Sequence, residues 1–442
     1  MGGGERKQPL GEMLVEAGVI TSQDLKVALE SQRQVPAPLG VTLVELGIAR
    51  EQDILPILQR QLNRVDVALA VDGKGSELVS VTDALQQILT DAVEAGATDI
   101  HLEPHQSDLK IRLRIDGVLR EMGAPRVLKT HYAAAVSSVK VMCNMDIAEK
   151  RMPQEGRTSI VAGEREFDLR VSVLPSHFGE SVVARVIQSD NPRKLGDLGM
   201  EEKTLQALER CLLRRSGLIL VCGPTGAGKT NTLYACLDRL NDSERKIVTI
   251  EDPIEYTLPG AIQMQVQPQI DLTFGRMLRT VLRHDPNVIM VGEIRDVETA
   301  EIAIRSSLTG HLVLSTIHTP DSTSTIARLL EMGIEPYLVS SALTCSLAQR
   351  LVRTTCTRCQ GKRCMVCLGT GLKGRTGIFE CLVMDDGVRE LTLSRASAEE
   401  IRQYIRTHGG MITLYEDGMA KVKAGVTTQE EVERVVHSDE PL

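Results

Sequence analysis

The stretch LILVCGPTGAGKTNTL, residues 218 to 233, decides the reading of this chain. An apolar run leads into Gly223–Thr230, which fits G-x-x-x-x-G-K-[ST] in full, and a helical pattern follows. Gly223, Gly226 and Gly228 let the backbone curl so that its N–H groups face phosphate oxygens, and the opening helix adds its positive end. Gly223, Pro224, Thr225, Gly226, Ala227 and Gly228 form the cradle. Lys229 is placed to neutralise the β- and γ-phosphates, and the Thr230 hydroxyl to ligand Mg²⁺. Such a loop serves kinases, switches, helicases and motors alike, so the remaining residues must say which.

Around the loop, strand-like runs alternate with helical ones: KIVTIED, NVIMVGE and HLVLSTIH each follow a helical stretch. That alternation implies an α/β domain with a parallel sheet of the P-loop type over about 197–442. Before it, residues 80–190 mix a capped amphipathic helix with alternating runs. One of these, LKIRLRIDGVLREM, carries an Asp-Gly hairpin turn, so this part reads as an α+β domain. Residues 71–79 and 191–199 read as linkers. The first 70 residues hold a repeat: Leu10, Gly11, Leu14, Val15, Gly18 and Gln32 recur 29 positions on as Leu39, Gly40, Leu43, Val44, Gly47 and Gln61. Each copy reads as two short helices around a Gly stop, together a small helical docking module.

Composition narrows the function. The chain has 442 residues, no Trp, four Phe, six Tyr and a net charge of -8. Few aromatic faces and no basic excess argue against single-strand or backbone binding of nucleic acid. No apolar run reaches the roughly 20 residues of a membrane span, and the N-terminus lacks a signal-peptide core. A cytoplasmic protein touching membrane only through partners is expected. Four of the ten cysteines cluster, which in a reducing compartment favours a metal site over disulfides.

Several further groups can carry chemistry. NVIMVGEIRD ends an apolar strand with Glu293, placed to polarise an attacking water. Glu251, Asp252 and Glu255 crowd the end of KIVTIEDPIEY, either around a cation or as a solvated acidic turn. His311 and His318 bracket one strand, and His318 is suited to sense a γ-phosphate or bond Glu293. Arg276, Arg279 and Arg283 fall on one helical face, as a solvated basic stripe or as partners for acids or nucleotide. Cys356, Cys359, Cys364 and Cys367 form C-x₂-C-x₄-C-x₂-C within a hairpin at 353–377, the spacing of a closed, structural Zn²⁺ site.

With these motifs in order, the sequence resembles the type II secretion and type IV pilus assembly ATPases over about residues 80 to 440. GPTGAGKT, IEDPIEY, IMVGEIRD, TGHLVLSTIHT and the tetracysteine hairpin carry the resemblance, joined by DIHLEP, LRIDGVLRE and LPSHFGE. It implies a homo-hexameric ATP-hydrolysing motor, each subunit pairing a PAS-like domain with a RecA-like domain, that drives pseudopilus assembly at the inner face of the inner membrane. Pilus extension and a cyclic-dinucleotide-regulated adaptor are the alternatives. The resemblance makes Glu293 the catalytic glutamate, Glu251 and Glu255 the acidic-box residues, and His311 and His318 the histidine-box residues. It makes Arg170 and Arg185 arginines that reach nucleotide at the ring interface, and Arg279 and Arg283 a second pair tied to ring activity. ATP, Mg²⁺ and Zn²⁺ are the implied ligands. The four-residue cysteine spacer is shorter than in many relatives, implying a stubby hairpin. The N-terminal repeat is similar to cyclic di-GMP-binding motifs, but Pro9 and Pro38 stand where an arginine usually opens them. Proline offers neither guanidinium nor N–H to a guanine, so docking to an inner-membrane assembly protein is expected instead.

Overall fold

The computed structural model describes residues 10–34, 39–50, 53–54, 57, 80–163, 165–187, 193–408 and 410–436. Pro9, Pro38, Gln61 and the linker at 71–79 lie outside them. The chain divides into two compact units, Met1–Gln188 and Ser189–Leu442.

In the first unit, helices Leu10–Glu16, Ser22–Gln34 and Leu39–Glu45 follow the repeat. Leu14 and Leu43, equivalent in the two copies, are both fully buried in one small core with Ile20, Ala28 and Ile54. Thr21 bonds Asp24 reciprocally through its hydroxyl and N–H at the start of the second helix.

The rest of this unit is a six-stranded antiparallel sheet in the order β3-β2-β1-β6-β5-β4. Its strands are β1 (Ala97–Pro104), β2 (Leu109–Ile115), β3 (Val118–Met122), β4 (Gln154–Ala162), β5 (Arg165–Ser176) and β6 (Gly179–Ile187). The Asp-Gly turn forms as the sequence requires: Asp116 and Gly117 both have positive φ, 50° and 82°, matching the twist of β2 and β3. Helix Val81–Glu94, capped by Ser80, and helix Tyr132–Met142 pack on the alternating apolar residues Ile111, Leu113, Leu169 and Val171. Polar residues alternate with these, so that Arg157, Arg170, Arg185, Asp99 and Arg114 stand in register across five strands.

The second unit contains a seven-stranded sheet in the order β13-β12-β7-β11-β10-β8-β9. Its strands are β7 (Gly217–Cys222), β8 (Ile247–Glu251), β9 (Ile262–Gln265), β10 (Val288–Val291), β11 (Leu312–Ile317), β12 (Leu343–Thr355) and β13 (Leu372–Val383). All neighbours are parallel except the edge pair β12–β13. A parallel sheet is covered on both faces, and so its strands read as unbroken apolar runs. Leu218 and Leu220 of β7 enter one core, Ile219 and Val221 the other. The stretch at 193–199 is not an open linker. Its Leu195 and Leu198 are buried in a short 3-10 turn, because two leucines this close to the sheet gain more by packing than by solvation. After residue 385 the chain is helical, and helices Ala398–His408, Leu414–Lys423 and Gln429–Val436 close one face.

Candidate active site

The phosphate loop sits where β7 enters helix Lys229–Leu240. Gly223 has φ 147°, and a Cβ there would stand 2.6 Å from the carbonyl oxygen of Gln349, so no side chain fits. Gly226 also has positive φ, but a Cβ there would meet nothing within 4 Å, and this open side is the concavity a phosphate chain can enter. Lys229 lies folded into the loop, its Nζ donating to the carbonyls of Gly223 (2.8 Å) and Pro224 (3.0 Å). Burial lowers its pKa to about 8. Thr230 is exposed, with its hydroxyl available to a cation. Gln349 and Arg350 brace the loop from β12. Gln349 accepts from Thr232 (2.6 Å), while Arg350 donates to the carbonyls of Gln349 and Pro320. Nothing in the sequence marks Gln349, since its neighbours are remote in the chain.

Strand β11 lies between β7 and β10, so their carboxyl ends converge. Glu293 follows β10 and is mostly buried, its side chain 14% exposed. One carboxylate oxygen is 2.5 Å from Arg295 Nη2, and the other is 3.7 Å from His318 Nε2 at the end of β11. The backbone fixes the glutamate: Ile294 N–H donates to Thr316 O, and Asp296 caps the next helix through Thr299 N–H. His318 is held below its usual pKa, first by burial and then by the Lys229 charge, with Glu293 opposing. A neutral imidazole beside the carboxylate is the resulting state at pH 7. Arg295 is the partner that pattern reading missed. Its place two residues after the strand-end acid is the only signal it gave.

Glu251 ends β8 and is 3% exposed. Tyr234 Oη donates to one of its oxygens at 2.5 Å, and Thr249 Oγ1 (2.5 Å) and Gln263 Nε2 (3.1 Å) donate to the other. The acid thus ties the helix after the phosphate loop to β8 and β9. Asp252 and Glu255 are exposed beside it.

Other candidates lie elsewhere. His311 precedes β11, at the opposite edge of the sheet from His318, about 20 Å away at ~3.3 Å per residue. It bonds the carbonyl of Ser306. The expected arginine stripe is cut short. Helix Phe274–Val281 carries Arg276 and Arg279, but Arg283 falls beyond it, where Pro286 prevents helical continuation. Arg279 pairs with Glu298 at 2.6 Å and Arg276 with Asp271 at 2.7 Å. In the first unit, Arg170 and Arg185 face each other across β5 and β6, paired with Glu155 and Asp99 at 2.9 and 2.8 Å.

The four clustered cysteines lie between β12 and β13, with all four sulfurs within 4.8 Å of one another. The Cys356–Cys364, Cys359–Cys367 and Cys364–Cys367 separations are 3.9, 3.8 and 3.7 Å. A tetrahedron with metal–sulfur bonds of ~2.3 Å has edges of about 3.8 Å. Cys367 accepts N–H groups from Cys364 and Gly371, both at 3.2 Å, and the Cys364 N–H leads in pulling its pKa down to about 6. This preformed set of four sulfurs fits one four-coordinate metal ion.

A parallel sheet, a phosphate loop on one strand and a braced glutamate two strands away define a P-loop ATPase with a RecA-like motor domain. The model of the type II/IV secretion system protein family matches residues 75–434. The type II secretion system protein HxcR of Pseudomonas aeruginosa is 46% identical over 370 residues, 82% of this chain and 78% of that protein. The type II secretion system ATPase E of Vibrio cholerae is 46% identical over 377 residues, 79% of this chain and 74% of that one. Among solved structures, the pilus retraction motor PilT with bound ADP covers 80% of this chain and 97% of its own, at TM-score 0.58 and 26% identity. The Legionella pneumophila ATPase DotB covers 82% and 98% at TM-score 0.65 and 21% identity, a likeness of fold. The chain belongs to the type II/IV secretion system protein family and is a secretion ATPase. No helix among the described residues is long and apolar enough to cross a membrane.

Proposed function

We propose that this chain is the hexameric motor of a type II secretion machine, hydrolysing ATP at the inner face of the inner membrane to drive pseudopilus assembly. The observation that carries the reading is Glu293, held between Arg295 and His318 at the strand edge that also bears the phosphate loop.

In this reading the loop N–H groups hold the phosphate chain. Lys229 leaves the carbonyls of Gly223 and Pro224 to neutralise it, and Thr230 ligands Mg²⁺. The cation supplies charge neutralisation on the phosphoryl oxygens. Glu293 orients the attacking water, and His318 and Arg295 hold the carboxylate in place. Glu251 positions the loop helix, with Glu255 and Asp252 as the free acids beside it. Arg170 and Arg185 of a neighbouring subunit add positive charge, and Arg279 and Arg283 contribute to ring contacts. Zinc in the four-cysteine site shapes the hairpin between β12 and β13. The small helical domain docks on an inner-membrane assembly protein in preference to binding cyclic di-GMP, and nucleic acid is no partner.

ATPase rate measured against protein concentration, with and without DNA, tests this. Rate per chain should rise as rings assemble and ignore DNA. A rate independent of concentration, or one stimulated by DNA, removes the reading.

A further inference from the structure

The amino ends of β7, β8, β10 and β11 meet at the sheet edge opposite the phosphate loop, and a cavity of about 350 Å³ opens there. Leu212, Val288 and Leu312, all buried, form its apolar floor. Its charged lining is Arg214, Arg215 and Arg245, with Asn287 and Gly310 beside them and no acid. Arg214 and Arg215 come from the turn before β7, Arg245 from the loop before β8, and Asn287 and Gly310 from the turns before β10 and β11. A helix C-terminus favours cations, which accounts for Arg210 in the last turn of helix Glu202–Leu212. It does not account for Arg245, which a separate loop brings to the same cavity. Among the described residues, neither Arg214 nor Arg215 is paired with an acid. Arg245 approaches Asp242 at 3.6 Å, beyond hydrogen-bonding distance. Asn287 Oδ1 accepts the Lys246 N–H at 2.7 Å, which leaves its amide N–H₂ to donate.

Three guanidinium groups around one apolar concavity repel one another unless an anion lies between them. The geometry points to a binding site here for a small anion that carries a diphosphate group. Guanidinium forks match phosphoryl oxygens two at a time, and three forks with the Asn287 amide exceed what a single carboxylate accepts. The volume falls at the small end of the about 300–1,000 Å³ usual for small-ligand sites. An acidic peptide is better served by a groove or a free strand edge, and β7, β8, β10 and β11 are each paired on both sides. A chain of net charge -8 repels anions at long range, so an anion held here is held by these local groups. The site is separate from the phosphate loop, which lies at the other end of β7.

Equilibrium dialysis of the full chain against labelled inorganic pyrophosphate tests this, with Arg214→Gln/Arg215→Gln as the comparison. The parent should hold one pyrophosphate more per chain than the variant, whose second site should weaken on the order of 100-fold. That difference should shrink as salt rises. ADP bound at the phosphate loop by both chains shows that the variant is folded. Should the glutamine variant bind no ADP, Arg214→Lys/Arg215→Lys replaces it. Charge is then kept and the fork lost, so the second site should weaken about tenfold. The same dialysis with labelled ADP separates the sources of the diphosphate. Equal ADP in parent and variant assigns the site to free pyrophosphate, and one more ADP in the parent assigns it to a nucleoside diphosphate. Equal pyrophosphate in parent and folded variant, or a difference indifferent to salt, overturns the proposal. Soluble polyglutamate captured by the parent and lost by the variant, with no difference in pyrophosphate, would replace it with an acidic protein partner.

Discussion

Lys229 carries the most direct consequence at the scale of single residues. Folded into the loop, its ammonium faces two carbonyls in a buried setting, and its pKa falls to about 8 from the 10.5 of a free lysine. A phosphate chain favours the charged form and raises that value again. Nucleotide binding at pH 8 should therefore draw in about half a proton per site, more at pH 9 and almost none at pH 6. Calorimetry in buffers of different ionisation enthalpy reads this directly, and uptake independent of pH would contradict it. Glu293 and Arg295 separate by their kinetics. Glu293→Gln should lower kcat by on the order of 10²–10⁴. Arg295→Gln, which misplaces the carboxylate without removing it, should lower kcat by up to about 100-fold with KM unchanged. If the arginine variant instead raises KM alone, Arg295 binds substrate and does not position the acid.

At the scale of elements, the strand order does the assembling. β7, β11 and β10 are scattered in the chain, yet their neighbouring ends bring Lys229, His318 and Glu293 to one edge. The knuckle between β12 and β13 is a second such unit. Its sulfurs already stand at the spacing one ion needs, and thiolates this close repel one another without it. Cys356→Ser/Cys364→Ser should abolish stoichiometric zinc while leaving the circular dichroism of the parallel sheet largely intact, because the metal staples a hairpin end and not the core. Metal analysis after gel filtration checks this; unchanged zinc would show that these cysteines do not bind it.

For the whole molecule, the decisive expectation is shared catalysis. The glutamate lies in the motor unit, while Arg170 and Arg185 lie on the sheet of the other unit. Glu293→Gln chains and Arg170→Ala/Arg185→Ala chains should each be nearly inactive alone. Mixed, they should recover part of the activity, because some interfaces then pair an intact glutamate with intact arginines. Mixing that restores nothing would place the arginines outside the reaction, or within the same subunit's site.

What the sequence determined by itself were the features with a local cause. The phosphate loop was legible because a tight turn needs glycines at set spacing, and Asp116–Gly117 because only such residues accept positive φ in succession. The four cysteines were legible because two short loops must bring them to one point. Tertiary structure decided which distant side chains share a site. His311 and His318 look equivalent in the chain, yet a parallel strand sends its two ends to opposite edges of the sheet. Glu251 reads as one of three free acids, but β9 and the loop helix bury it against Gln263 and Tyr234. Gln349 and Arg350 brace the loop from residues more than a hundred positions away. Periodicity records which way a side chain points, whereas a hydrogen bond between remote strands exists only once the sheet has set their order.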